Sequence, residues 1–168
     1  MLTENKVFEK ISFNEHSLVK GIFEECTFNN CDCSLTKLKS TILQDVRFVN
    51  SKLLGVQFHE CNGFLLRLYF ENCMLKLSVF YKLKLKNTAF KNCNLQEADF
   101  SEADLTGALF DNCDLLLATF MHTNLEKADF RSASHYSINP EINRIRKARF
   151  SIPGVTGLLT TYDIEIEW

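Results

Sequence analysis

Seven cysteines, four histidines and 21 carboxylates are the side chains with which this 168-residue chain could do chemistry. Cys31-Asp32-Cys33, with Cys26 close upstream, has the thiolate density that a zinc site needs. His16, His59, His122 and His135 are scattered and form no HExxH pair, so neither a metalloprotease nor a compact metal site is indicated. No GxGxxG, GxxxxGK(S/T) or GxSxG run occurs, which removes the common nucleotide and hydrolase signatures. The expectation is a protein without catalytic residues, metal or cofactor.

The charges are few in sum and uneven in distribution. A net charge of −2 lacks the basic excess that neutralises phosphates, so no direct nucleic-acid binding is expected. Between residues 92 and 130, however, Glu97, Asp99, Glu102, Asp104, Asp111, Asp114, Glu126 and Asp129 face a single base, Lys127. Lys76, Lys82, Lys84, Lys86 and Lys91 form a basic patch just before that run, and Arg144, Arg146, Lys147 and Arg149 form another after it. Glu97, Asp99, Glu102, Asp104, Asp111, Asp114 and Asp129 are the candidate partner-binding residues, as an electronegative face. Asp and Asn placed just before a turn also have a purely local use as hydrogen-bond acceptors.

What must position these residues is a period of five. From Phe70 to Phe130 every fifth residue is Phe or Leu, and two residues earlier stands a mostly small one, such as Cys73, Ser78, Ala98 or Ala108, with Leu68 and Leu83 larger. Residues two apart in extended backbone share a face, so each pentad turns one large and one small side chain inward. Neither a helix, with its period of 3.6, nor a long alternating strand produces five. A short extended segment followed by a turn, repeated so that the chain coils and stacks on itself, does. Cys73, Cys93 and Cys113 recur every twenty, as do Asn72, Asn92 and Asn112, which implies four pentads per turn with like residues stacked. The Asn amides are then placed to hydrogen-bond along the stack. Cys26, Cys31, Cys61, Cys73, Cys93 and Cys113 fall on the small inward position and Cys33 on a large one, which favours core packing over metal binding.

The first half keeps the rule from Phe8 to Phe58 in a different phase. The register slips by two between His59 and Phe70, so a bulge or outward loop is expected in 59–69, a natural recognition feature on a regular scaffold. Twenty-four pentad centres make six turns, roughly 30 Å at about 4.8 Å per turn. Arg146 to Phe150 returns in phase after a loop near 135–141, giving a coil domain over 1–150. Residues 151–168 then read as a cap, with a short helix begun by Ser151 and Pro153 and an edge strand from Asp163 to Trp168. An open coil end needs covering. Val155, Leu158, Leu159 and Trp168 are the candidates for that cap, or for a homodimer through this end.

The blocks Ala98-Asp99-Phe100, Ala103-Asp104-Leu105, Ala118-Thr119-Phe120 and Ala128-Asp129-Phe130 resemble the A(D/N)(L/F)xx motif of pentapeptide-repeat proteins. The resemblance implies a right-handed quadrilateral parallel β-helix. It also implies a possible partner, because bacterial members bind DNA gyrase or topoisomerase IV as DNA mimics and modulate quinolone or toxin action. This chain departs from them in its shorter rod, weak net charge and basic patch. With no apolar leader or membrane-length run, a cytoplasmic location and reduced thiols are expected.

Overall fold

The computed structural model describes every residue except Met1, Asn14, His16 and Trp168. The chain forms an all-β, quadrilateral parallel solenoid in which each turn lays four pentads side by side, one per face. The four faces are named here by the inward residues of one turn: Phe70, Leu75, Phe80 and Leu85. On the Phe70 face six strands, Val7–Glu9, Thr27–Asn29, Val46–Val49, Leu68–Glu71, Ala89–Lys91 and Leu109–Asp111, pair in parallel in that order. The Leu85 face begins with Leu2–Glu4, Ile22–Glu24 and Ile42–Gln44, also parallel. Elsewhere the turns are joined by parallel bridges such as Asn94↔Asp114 and Asp99↔Thr119.

The alternation of Phe and Leu in sequence becomes a segregation of faces in space. Phe8, Phe28, Phe48, Phe70, Phe90, Phe110, Phe130 and Phe150 stack along one face, with neighbouring ring centroids 4.7–5.5 Å apart. Phe58, Phe80, Phe100 and Phe120 stack along the opposite face. Between the two columns the rings meet edge to face, as Phe90 and Phe100 do at 5.9 Å. Both geometries suit the aromatic quadrupole. The column from Phe8 to Phe150 contains eight rungs, so the coil continues one turn past Phe130.

The small inward residues do more than leave room. Ser51, Ser78 and Thr123 donate their hydroxyls to the carbonyls of Phe28, Leu53 and Phe100 at 2.8–3.1 Å. Cys31, Cys73 and Cys113 point their thiols at Phe8, Phe48 and Phe90 in the same way, at 3.3–3.4 Å. The expected asparagine ladder is present as well: Asn112 donates to Asn92, Asn92 to Asn72, and Asn72 to Asn50, at 2.8–3.1 Å.

Most corners are turned by a left-handed residue two past the large one. Among the described residues 23 non-glycine positions have φ near +50 to +62°, seven of them Asn. Asn bears this conformation with little strain, whereas other side chains resist it by about 1 kcal/mol or more. Turn-to-turn backbone hydrogen bonds therefore offset a recurrent local penalty, for example Asn92 N–H to Asp111 O at 2.8 Å.

The register slip lies in one corner. Ile42 pairs with Asn62 at an offset of twenty, and Val46 pairs with Leu68 at twenty-two, so the two extra residues fall within 63–67. Gly63 offers no side chain to the core there, and Leu66 is buried nearby while Phe64 and Leu65 face out. At the C-terminal end the helix is a single 3-10 element, Pro153–Leu158, and Ser151 Oγ accepts the Gly154 N–H at 3.1 Å. Leu158 packs against the core. The expected edge strand is not formed: Asp163–Glu167 has no strand pairing, with Ile164 and Ile166 exposed, because no backbone lies alongside to receive its hydrogen bonds. Trp168 lies outside the described residues. No helix among the described residues is long and apolar enough to cross a membrane.

Phe100 is fully buried with stacked neighbours on both sides. Phe100→Ala is expected to cost about 3–5 kcal/mol, measured as a fall in urea midpoint; a loss under about 1 kcal/mol would show that the stack does not carry the fold.

Candidate functional site

The pentad geometry fixes where each candidate acid goes. A residue one before the large inward one points outward from a face, and the corner residue two after it points outward from an edge. Asp111 and Asp129 accordingly stand on the Phe70 face, Asp114 on the Leu75 face with Glu97 at its corner, Asp99 on the Phe80 face with Glu102 at its corner, and Asp104 on the Leu85 face. Acids contiguous in sequence are thus wound around all four sides. They do not make one electronegative face.

Nor are they unneutralised. The coil places the basic patch one rung from the acidic run, and Lys76 pairs with Glu97 at 3.1 Å, Lys82 with Glu102 at 3.3 Å and Lys86 with Asp104 at 3.3 Å. Asp129 is held by Arg131 at 2.8 Å and Arg149 at 3.7 Å, and Asp114 meets His135 at 2.8 Å. Asp111 accepts the Ser132 hydroxyl at 2.9 Å. The aspartates before the large residues also act locally: Asp99, Asp104, Asp114 and Asp129 accept the backbone N–H two residues on, at 2.8–3.1 Å.

These contacts set the carboxylate chemistry. Burial raises Asp104 and Asp114, but hydrogen bonds from Thr106 and Lys86 to the first, and from Gln96 and His135 to the second, outweigh it and hold both below the usual range. Asp129 is lowered chiefly by Arg131. Lowered folded values stabilise the fold above the unfolded carboxylate pKa, near 3.9, and the contribution is lost as pH falls through them. The melting temperature is therefore expected to hold down to about pH 5 and to drop on further acidification. The variant Asp114→Asn/Asp129→Asn should drop less steeply; an identical slope would count against these pairs.

All seven cysteines are buried and free. Burial pushes Cys61 up to about 11, and a hydrogen bond to Cys113 together with burial pushes Cys93 to about 12. Burial raises Cys33, and the Cys93 contact and burial raise Cys73. A ligand set needs thiolates converging on one point. Instead the thiols are strung along the rod, and among the described residues no group of three or more His, Cys, Asp or Glu is placed to hold a metal. A thiol reagent at pH 8 is expected to modify none of the seven within minutes in the native protein and all of them in guanidinium; rapid native labelling would contradict the packing.

At the C-terminal end, Val155 is exposed, Leu159 is half-buried and Leu158 is turned to the core, so the candidate cap residues divide between covering the coil and facing out. Ile152, which sequence reasoning passed over, is 84% exposed. The interruption contributes what sequence could place but not shape. Phe64 is 67% and Leu65 50% exposed, Leu65 has φ 56°, and Arg67 is tied to Asp45 at 2.8 Å beneath them. Tyr69 lies under the Arg47 guanidinium at 4.9 Å, and these side chains line a shallow hollow of about 110 Å³. On the Leu85 face the next turn carries Lys84 and Lys86, so the interruption and the basic patch are neighbours.

Two family models match the sequence: "Pentapeptide repeats (8 copies)" over residues 23–55 and "Pentapeptide repeat region" over 65–139. Together they span more than half of the chain. The chain belongs to the pentapeptide-repeat family. The gap between the two matches ends at the interruption. No curated protein matches the sequence. Among solved structures, the pentapeptide-repeat chain is similar to a trypsin-treated variant of QnrB1, a plasmid-mediated fluoroquinolone resistance protein, at 15% identity over 96% of this chain and 99% of that one, with a TM-score of 0.40. It is also similar to HetL, a pentapeptide repeat protein involved in heterocyst differentiation regulation from the cyanobacterium Nostoc sp. strain PCC 7120, at 13% identity over 90% and 87%, TM-score 0.35. A third is Rfr23 from the cyanobacterium Cyanothece 51142, at 16% identity over 80% and 86%, TM-score 0.33.

Proposed function

We propose that this pentapeptide-repeat protein is a non-enzymatic protein-interaction module whose partner docks on the interruption at 63–67. The observation that carries the reading is the exposed Phe64–Leu65 tip at the one corner where the register breaks. Elsewhere the phenylalanines of the coil are turned to its interior, and Phe64 with Leu65 makes an adjacent exposed apolar pair. On the adjoining Phe70 face Asp45, Arg47, Arg67 and Tyr69 line the shallow hollow, and Lys84 and Lys86 stand on the next turn of the Leu85 face. Aromatic and Arg side chains grouped in this way are the usual energetic centre of a protein contact. The partner they fit is an apolar pocket with an acidic rim.

Phe64→Asp with Leu65→Asp is expected to leave the melting temperature within about 2 °C, because neither side chain reaches the core. Affinity capture with the wild type, this double variant and Lys84→Glu/Lys86→Glu tests the reading. Proteins held by the wild type and lost from both variants support it, whereas equal capture by all three overturns it.

The second reading is a DNA-mimicking binder of DNA gyrase or topoisomerase IV that modulates quinolone or toxin sensitivity. The acid-rich run from 92 to 130 favours it, and Asp99 carries no ion pair among the described residues. The winding of those acids around four faces weighs against it. A gyrase supercoiling assay with and without a quinolone decides, inhibition or drug protection at roughly micromolar protein being the supporting result.

A further inference from the structure

We propose that Asn62-Gly63, at the base of the interruption, is a self-modifying site, where attack of the Gly63 backbone nitrogen converts the Asn62 side-chain amide to a carboxylate. The inference does not depend on a partner docking there.

Asn62 is the one asparagine of the chain that is followed by glycine. The reaction needs a carboxamide carbon within reach of the next backbone nitrogen, a nitrogen not held in a hydrogen bond, and water. Elsewhere the coil withholds the second. On the Leu85 face, Leu85, Leu105 and Leu125 donate their N–H groups to the carbonyls of Asp104, Asn124 and Arg144 on the next turn, each at 2.8 Å. Gly63 holds the same place in its pentad, since the residue before it, Asn62, pairs with Ile42 as Asp104 pairs with Lys84. Its N–H finds no acceptor among the described residues, and Asn62 has no bridge to the following turn. The two extra residues break the ladder at this rung. Asn62, Gly63 and Phe64 are all exposed, so water satisfies the loose donor and is at hand as base.

The side chain is held for the same step. Asn62 Oδ1 accepts the Phe64 N–H at 2.9 Å. That bond folds the carboxamide back along the chain over residue 63. It also stabilises the negative charge that develops on Oδ1 as the nitrogen adds to Cγ. A side chain on residue 63 would crowd the approach, and glycine has none.

The atoms balance with water as the only co-reactant. The Gly63 N–H proton leaves, the N–Cγ bond forms, and the Cγ–Nδ2 bond breaks with release of ammonia, giving a succinimide. Water then opens the ring. Addition at Cγ breaks the new bond and leaves aspartate; addition at the main-chain carbonyl breaks the original peptide bond and leaves isoaspartate, with the chain running through Cγ. Either product puts a negative charge on the turn before Lys84 and Lys86, beside the exposed Phe64–Leu65 tip.

The rest of the molecule supplies the controls. Asn94 and Asn124 accept the N–H two residues on in the same way, from Gln96 at 3.0 Å and Glu126 at 3.2 Å. Each is followed by a buried leucine whose own N–H is bonded to the next turn, Leu95 to Asp114 and Leu125 to Arg144, both at 2.8 Å. A Cβ on residue 63 would meet nothing within 4 Å, so Gly63→Ala keeps the fold.

The folded protein is warmed at neutral and at mildly alkaline pH and followed by peptide mass spectrometry, with hydroxylamine as the trap for the succinimide. Asn62 should become aspartate and isoaspartate well ahead of Asn94 and Asn124, and faster at the higher pH. Hydroxylamine should cut the folded chain after residue 62. Gly63→Ala should slow conversion by about tenfold or more with an unchanged melting temperature. An Asn62 that stays an amide in the folded protein for as long as the urea-unfolded chain takes to convert overturns the proposal. Conversion of Asn94 or Asn124 at the rate of Asn62, or of Gly63→Ala at the wild-type rate, overturns it as well.

Discussion

Everything in this molecule depends on stacking one turn of chain on the next at the spacing of a parallel sheet. An aromatic ring stacks on its like at nearly that spacing, so Phe in one turn calls for Phe in the next. The core then has no centre in the globular sense. It is a column in which each turn touches only its two neighbours, and stability accrues rung by rung. The left-handed corners, the inward Ser, Thr and Cys that bond a carbonyl one turn away, and the asparagine ladder follow from that repetition.

The same repetition governs what the surface can do. Outward positions recur every five residues, but consecutive ones lie on different faces. A run of like charge in sequence is therefore dispersed around the rod, while residues twenty apart are brought side by side. The acidic run and the basic patch, separate in sequence, become partners across neighbouring turns for this reason. A face with a single chemical character needs a bias at every twentieth residue. The chain shows such a bias in its asparagine column.

Departures from the rule stand out against so uniform a scaffold. The two extra residues within 63–67 cost the coil one inward side chain and put Phe64 and Leu65 outside. At the C-terminal end, Leu158 and the glycines of the 3-10 turn close over Tyr136. Gly157 lies so near that a Cβ there would fall 2.3 Å from the Tyr136 carbonyl, which leaves no room for a larger residue. The cap is thus fitted to the last turn, and it leaves Ile152 and Val155 exposed.

Periodicity alone determined most of the fold, because the side chains that set it are the ones that pack: Phe70 through Phe130 could be assigned inward, four to a turn, from spacing and size. The asparagine ladder and the burial of the seven cysteines followed from the same count. The place of the interruption was legible as a change of phase, yet its tip was not, since Leu66 rather than Gly63 is the buried residue there and only the packing of neighbouring turns selects it. The acidic segment misled for a related reason. Charge along a sequence is one-dimensional, and its meaning here depended on which faces the winding assigned to Asp99, Asp104 and Asp114 and which lysines it set beside them.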